Sequence, residues 1–291
     1  MSEIKNTTAK KADPTEKGAL GFLYGTPFGR VILKVLVSRW VSVLAGAFAD
    51  SRLSKPLIRR FVKNNSIDLN DYLETDRFRC FNDCFTRKIR PELRPLNSEA
   101  GVLVSPCDGL VSVYGIESDT VYPVKQSSYT VSSLLDNEEL AKRYYGGICV
   151  VIRLCVDNYH RYSFIDGGTA DRPVFIKGKL HTVRPIALRK LPVFTENCRE
   201  YTVMHTDNFG DVIQAEVGAM LVGKIHNRPI NGRFSRGEEK GMFLYGGSTI
   251  ILLFEKDRAV IDSEFFSATE DGIETPIKMG ERLGEKVRRN G

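Results

Sequence analysis

From Val102 to the C-terminus the chain is written in short β-branched runs separated by glycine, and that texture limits the fold more than any other feature. The runs are Val102-Leu-Val, Leu110-Val-Ser-Val-Tyr, Ile148-Cys-Val-Val-Ile, Val212-Ile, Val217 to Val222 and Ile250 to Phe254. Segments of this length and composition read as strands. Their close spacing favours a closed or sandwich-like sheet over a doubly wound one. Helical candidates here are few, chiefly Ser132 to Tyr144, where Asp136, Glu138 and Glu139 precede Lys142 and Arg143.

Before Arg94 the texture is helical. Pro56 opens a helix through Lys63, and Ile67 to Arg87 reads as helical turns with Tyr72, Phe78, Phe81 and Phe85 facing inward, ended by Pro91 and Pro95. Upstream, Phe28 to Ala49 is apolar except for Arg39 and a stripe of Arg30, Lys34, Ser38 and Ser42, whose four-residue spacing sets them on one helical face. The longest uninterrupted apolar run is too short to span a bilayer. Between Arg30 and Lys63 eight bases face one acid, Asp50, in a chain whose net charge is +6. An apolar face with a basic flank suits an interfacial helix on an anionic membrane; a helix packed on its own domain with a solvated basic face has the same pattern. Met1 to Lys17 is polar and mixed in charge, the composition of a disordered leader. The expected fold is thus α+β, with a leader at 1–17, a helical, basic, membrane-associating region at 18–94 and a β-rich domain at 95–291.

With 42% hydrophobic residues, 291 positions suffice for one large domain with appendages or two modest ones. The overall charge is too mild to imply nucleic acid. Cys80, Cys84, Cys107, Cys149, Cys155 and Cys198 form no C-x-x-C and the histidines lack zinc-finger spacing. The expectation is six reduced, mostly buried thiols and no metal site.

The chemistry concentrates at Phe243-Leu-Tyr-Gly246-Gly247-Ser248-Thr249, where a glycine pair delivers a serine to the mouth of an apolar strand. A glycine carbonyl has no Cβ to shield it, and the nearest nucleophile to Gly247 is the Ser248 hydroxyl. Taken alone the stretch is equally a loop entering a core strand. Asp108, in Ser105-Pro-Cys-Asp-Gly109, occupies a turn that commonly uses its acid to bond its own backbone. His160, in Asp157-Asn-Tyr-His-Arg-Tyr162, follows an apolar strand and is either an acid-base group or a structural histidine. Asn197-Cys-Arg-Glu200 reads as a charged turn. A Ser, a His and an Asp on separate turns of one β scaffold can assemble a hydroxyl, a base and an orienting acid, without deciding between a hydrolase and another enzyme.

From about Phe81 to Gly284 the chain resembles the phosphatidylserine decarboxylases. The resemblance is carried by Phe85-Thr-Arg87, Ser105-Pro-Cys-Asp108-Gly, Tyr159-His-Arg161, Asn197-Cys-Arg199, Val217-Gly-Ala219, Arg236-Gly-Glu-Glu-Lys-Gly-Met-Phe243, Gly247-Ser-Thr249 and Gly280-Glu-Arg-Leu-Gly284, in this order and spacing. It implies that Ser248 attacks the Gly247 carbonyl and cuts the chain between 247 and 248. Ser248 then becomes a pyruvoyl group, the cofactor, on a 44-residue fragment that stays associated with the larger one. Asp108 and His160 would help to activate the serine, and His160 would return the proton after decarboxylation. Phosphatidylserine would form a Schiff base with the pyruvoyl and lose CO2 to give phosphatidylethanolamine, with no metal or nucleotide.

The resemblance further implies a β-rich core of the barrel-sandwich kind under an N-terminal helical layer. A peripheral place on the cytoplasmic face of an anionic membrane follows from the substrate, and a homodimer is compatible with it. The chain departs from the family pattern in two motifs: Ser163 stands where a second histidine is usual and Asn158 where an Asp often stands, and Gly246 stands where leucine is common before Gly-Ser. The processing base is therefore His160 or a substitute among His181, His205 and His226. Two other readings stay open at this point, a pyruvoyl enzyme acting on a free amino acid and an unprocessed, non-catalytic membrane-binding protein.

Overall fold

The computed structural model describes residues 19–118, 120–124, 127–183, 187, 193–219, 225–230, 232–246 and 248–288. The leader expected at 1–17, Gly247 of the expected cleavage site and the end of the run expected at Val217 to Val222 lie outside the described residues.

The N-terminal part contains helices α1 (Ala19–Gly25), α2 (Pro27–Leu36), α3 (Arg39–Asp50), α4 (Lys55–Asn64) and α5 (Phe81–Phe85). Thr26 caps α2 by accepting from the Gly29 amide, with Pro27 in the first turn where its missing N–H is not needed. The helix expected from Phe28 to Ala49 is in fact two. Ser38 takes an extended conformation (ψ 145°), and the flanking valines have a weak preference for continuing a helix. Among the described residues no single helix is long and apolar enough to cross a membrane; α2 and α3 reach that length only as a pair bent by 58°. The helical turns expected across Ile67–Arg87 are mostly 3-10 turns around a two-stranded ribbon, β1 (Tyr72–Leu73) with β2 (Lys88–Ile89), and only α5 is a helix. Phe81 and Phe85 of α5 are buried as expected.

Beyond Arg94 the strands are β3 (Val102–Val104), β4 (Gly109–Glu117), β5 (Thr120–Val124), β6 (Ser127–Thr130), β7 (Ile148–Leu154), β8 (Arg161–Ser163), β9 (Gly168–Ala170) and β10 (Val174–Ile176). They continue with β11 (Arg199–Thr206), β12 (Gly210–Val217), β13 (Ile225–Asn227), β14 (Glu239–Phe243), β15 (Ser248–Phe254), β16 (Ala259–Ile261), β17 (Thr275–Ile277) and β18 (Arg282–Lys286). Helix candidates resolve into α6 (Val131–Leu135), α7 (Glu138–Lys142), α8 (Val193–Glu196) and α9 (Ser263–Glu270). The segment expected as one helix, Ser132 to Tyr144, splits because Asp136 adopts a left-handed conformation (φ 50°) and Asn137 starts α7 as its cap.

The main sheet runs β10-β11-β12-β15-β7-β4-β5-β6 and is antiparallel throughout. It does not close: the expected barrel is replaced by an open sheet with smaller sheets β13-β14-β8 and β16-β18-β3 beside it. Both faces of the central strands are covered. One face packs against α1, α2, α6 and α7 through Ile251, Leu253, Val151 and Ile213; the other, through Ile250, Leu252, Val150 and Val212, packs against the small sheets and α9. Burial on both sides is why Ile250–Phe254 reads as an unbroken apolar run instead of an alternating one. Five of the six cysteines are buried and none is bridged.

Candidate active site

Ser248 is the first residue of β15, the strand bonded to β7 on one side and β12 on the other. Side chains alternate along a strand, so Ser248 shares the face of Ile250, Leu252 and Phe254. Its side chain is fully buried and its Oγ has no hydrogen-bond partner. An orphaned buried hydroxyl costs about 1–3 kcal/mol, a state that the neighbouring Thr249 Oγ1 shares among the described residues.

His160 is the second group of this kind. The Phe243 amide donates to its carbonyl at 2.9 Å, which ties it to the turn that delivers Ser248. Its ring lies 4.0 Å from that of Phe85, and Phe85 and Phe81 in turn meet Tyr245 edge-on, closing an aromatic box over Tyr245-Gly246. Nδ1 is 2.9 Å from the Asn158 carbonyl. A carbonyl only accepts, so Nδ1 carries the proton and Nε2 presents its lone pair. Nε2 is buried and makes no hydrogen bond of ordinary geometry among the described residues, with the Gly246 backbone nearby. Burial and, after it, the nearby Arg87 guanidinium pull the His160 pKa down to about 3, against weaker opposition from the Asn158 and Gly246 backbone. The ring is therefore neutral at physiological pH, a weak base whose Nε2 lone pair is not titrated there.

Asp108 lies elsewhere. Its carboxylate receives Arg94 Nε at 2.7 Å and a second guanidinium nitrogen, and the Met279 amide at 2.9 Å. Ser248 pairs with Leu154, and the β7–β4 register carried one step past Arg153–Leu110 sets Gly109 across from Leu154. Gly109 is thus two strands from Ser248, ~10 Å away, and Asp108 hydrogen-bonds to neither Ser248 nor His160. Ser163, in the place of the absent second histidine, abuts this turn: its amide donates to the Pro106 carbonyl at 2.8 Å.

The other histidines are distant in kind or in place. His181 is held by Tyr24 and Glu196 against the opposite core. His205 sits on the surface between Asp211 and Asp171, beyond the Phe254 end of β15 and so ~20 Å from Ser248. His226 is exposed on β13. His160 alone lies against the serine turn.

Two functional supports escaped the sequence reading. Asn197, read as part of a charged turn, is fully buried and bonds both the amide and the carbonyl of His181 and the carbonyl of Gly218, the residue across from Ser248. Glu216 and Lys240, both fully buried, form an ion pair at 2.7 Å on the Ser248 face, with Asn227 and Gln214 completing the carboxylate's hydrogen bonds. The sequence signal for the pair was a glutamate between two apolar runs and a lysine in the Arg236 to Phe243 stretch.

The sequence model of the family described as Phosphatidylserine decarboxylase matches residues 81–285. A protein of Clostridium acetobutylicum named phosphatidylserine decarboxylase proenzyme 2 is 45% identical over 93% of this chain and 92% of its own length. Proteins named phosphatidylserine decarboxylase proenzyme are 40% identical in Clostridium botulinum, over 92% of each chain, and 40% identical in Ruminiclostridium cellulolyticum, over 99% of this chain and 98% of that one.

Proposed function

The chain belongs to the phosphatidylserine decarboxylase family, and from that premise we infer that it converts phosphatidylserine to phosphatidylethanolamine and CO2 by means of a pyruvoyl group made from Ser248. The observation that supports the cofactor assignment is that Ser248 Oγ and His160 Nε2 are both buried without a partner among the described residues, with His160 bonded to the Phe243 amide just upstream of Ser248. The proenzyme names of the relatives support self-processing.

In the proposed processing, His160 Nε2 takes the hydroxyl proton as Ser248 Oγ attacks the Gly247 carbonyl carbon. The C–O bond forms, the C–N bond breaks, and the proton passes to the freed amine. Loss of the Ser248 α-proton then expels the Gly247 carboxylate, and hydrolysis of the resulting enamine releases ammonia and leaves the ketone. Asp108 is assigned a part in activating the serine, which requires its Arg94 pair to open. Once formed, the pyruvoyl group supplies an electron sink for the pair left by departing CO2. His160, a weak base and so a ready proton donor once charged, is assigned the return of a proton to the substrate carbon.

The cut leaves β15 on the small fragment, hydrogen-bonded between β7 and β12, so the two fragments remain one folded body. We place the enzyme peripherally on the anionic cytoplasmic face of a membrane. Exposed Phe28, Val31, Trp40, Leu44 and Leu53 on α2, α3 and the following turn, beside Arg30, Lys34 and Lys55, support that placement. Intact mass of the purified protein beside Ser248→Ala tests the reading. Two fragments in the wild type, the smaller starting with a pyruvoyl, and one chain in the variant are expected. A single full-length mass in both, with membranes added, refutes it.

A further inference from the structure

A cleft of about 620 Å³ opens beside α5, between the Leu73–Arg79 loop and the starts of β2 and β8. Its walls carry Arg77, Arg79, Arg87, Lys88 and Arg161 against Glu74 and Asp83. Arg77 pairs with Glu74, Arg79 with Asp83, and Arg161 with Glu239. Among the described residues no carboxylate pairs with Arg87 or Lys88, so the cleft keeps an uncompensated positive charge. Arg87 forms the floor, 4.5 Å over the Tyr72 ring, and donates to the Asp157 and Asn158 carbonyls. That same Asn158 carbonyl bonds His160 Nδ1, so the inner end of the cleft lies one peptide group from the histidine.

On its outer side the cleft shares Phe78 with an apolar groove of about 500 Å³, bounded by Ile58 and Val62 of α4 and by Leu69. An apolar groove, a cationic cleft and a buried reactive pair therefore follow one another along the surface. Phosphatidylserine has the same order of parts: acyl chains, a phosphodiester, then the reacting carbon, set off from the phosphate by one oxygen and one methylene.

We propose that this cleft binds the phosphodiester of the substrate lipid, with Lys88 and Arg79 as the charged rim above Arg87 and one acyl chain in the Ile58–Val62–Phe78 groove. The proposal rests on the decarboxylase reading and adds where the headgroup and chain lie. Charge complementarity and the shared Phe78 wall select a lipid over a free anion, since a free phosphate makes no use of the groove.

The test uses processed enzyme and a short-chain phosphatidylserine below its micellar concentration, so that attraction of a charged protein to a lipid surface plays no part. Lys88→Ala and Arg79→Ala each raise KM about 10-fold or more, with the pyruvoyl fragment formed as in the wild type, because a charge-assisted hydrogen bond is lost at binding. Lys256→Ala, in the remote turn after β15, controls for net charge and leaves KM unchanged. Val62→Asp, in the groove, raises KM for the short-chain lipid but not the inhibition constant of glycerophosphoserine, which has the head without the chains. Normal KM in processed Lys88→Ala and Arg79→Ala overturns the cleft assignment, and equal effects of Val62→Asp on both compounds overturn the groove. Failure of the decarboxylase reading is distinguished by the wild type alone, which would be processed yet release no CO2 from phosphatidylserine.

Discussion

Lys240→Met isolates the buried ion pair beside the active serine. Lys240 Nζ donates to Glu216 Oε1 at 2.7 Å and to Asn227 Oδ1 at 3.3 Å, and neither charged side chain has any exposed surface. Methionine keeps the apolar stem and removes the ammonium, leaving Glu216 with only the Gln214 and Asn227 amides. Breaking one side of a buried pair costs ~3–5 kcal/mol, because the remaining charge is stranded. Burial already raises the Glu216 pKa, with Lys240 opposing it, so loss of the lysine raises it further. The folded chain then binds a proton the unfolded chain lacks, above the ordinary carboxylate pKa of ~4.3, and stability falls as pH rises through that window. Lowering the pH from about 7 to about 5 should therefore restore up to ~2.7 kcal/mol, at ~1.4 kcal/mol per unit. Adding Glu216→Gln should recover most of the loss at all pH values. The assay is equilibrium urea unfolding in a Ser248→Ala background, where every molecule is one uncut chain. A loss under ~1 kcal/mol, or one that does not change with pH, refutes the argument that the pair is charged and dry.

Three further outcomes are expected. Because the His160 pKa is pulled down to about 3, mainly by burial, self-processing should show no titration step near pH 6.5, and a sigmoid centred there in the cleavage rate contradicts the neutral buried ring. The same depression means that this group's contribution to stability is complete above pH ~6.5 and is lost as the pH falls toward 3, which acid unfolding of His160→Phe against the uncut Ser248→Ala chain would show as a flatter curve. Replacing exposed Trp40, Leu44 and Leu53 together by serine should weaken sedimentation with anionic vesicles about 10-fold or more, and unchanged binding would place the membrane contact elsewhere.

The sequence displayed the central strands because burial on both faces leaves no ambiguity in Ile148–Ile152 or Ile250–Phe254, and both are strands. It concealed β11 and β14, where Arg199, Glu200, Glu239 and Lys240 interrupt the apolar pattern. Arg199 and Lys240 are buried through tertiary partners, such as the carbonyls of Leu134 and Ser133 for Arg199, which no local pattern reveals. Sheet closure was illegible for the same reason: strand texture gives the number and length of strands but not whether the first meets the last. At the site, Ser248 was legible because glycine, serine and strand adjoin in the chain. The neighbourhood of His160 and the Ser248 turn was not, since it depends on Phe85 and Tyr245 packing across 160 positions of sequence. The Arg94–Asp108 pair was equally hidden, being set by a turn between β3 and β4 closing over the segment before Val102.

The unpartnered hydroxyl invites a last test of why this serine is where it is. A serine chosen for stability would bond a carbonyl or water; Ser248 Oγ bonds neither side chain nor backbone, inside an apolar face shared with Ile250 and Leu252. Replacing a polar group that has no partner by an apolar one of smaller volume removes its desolvation penalty and loses no hydrogen bond. In a His160→Phe background, which removes the base, keeps an aromatic ring against Phe85 and prevents cutting, adding Ser248→Ala should leave stability unchanged or raise it by up to ~1 kcal/mol. The comparison is between two uncut chains, so chain cleavage does not enter. A fall of more than ~1 kcal/mol would mean that the hydroxyl has a structural partner, and the serine would then be held by packing rather than kept free for chemistry. A neutral or stabilising result would fit the opposite order of priorities, in which β15 is anchored by β7 and β12 along its whole length so that its first residue can remain unsatisfied until it reacts.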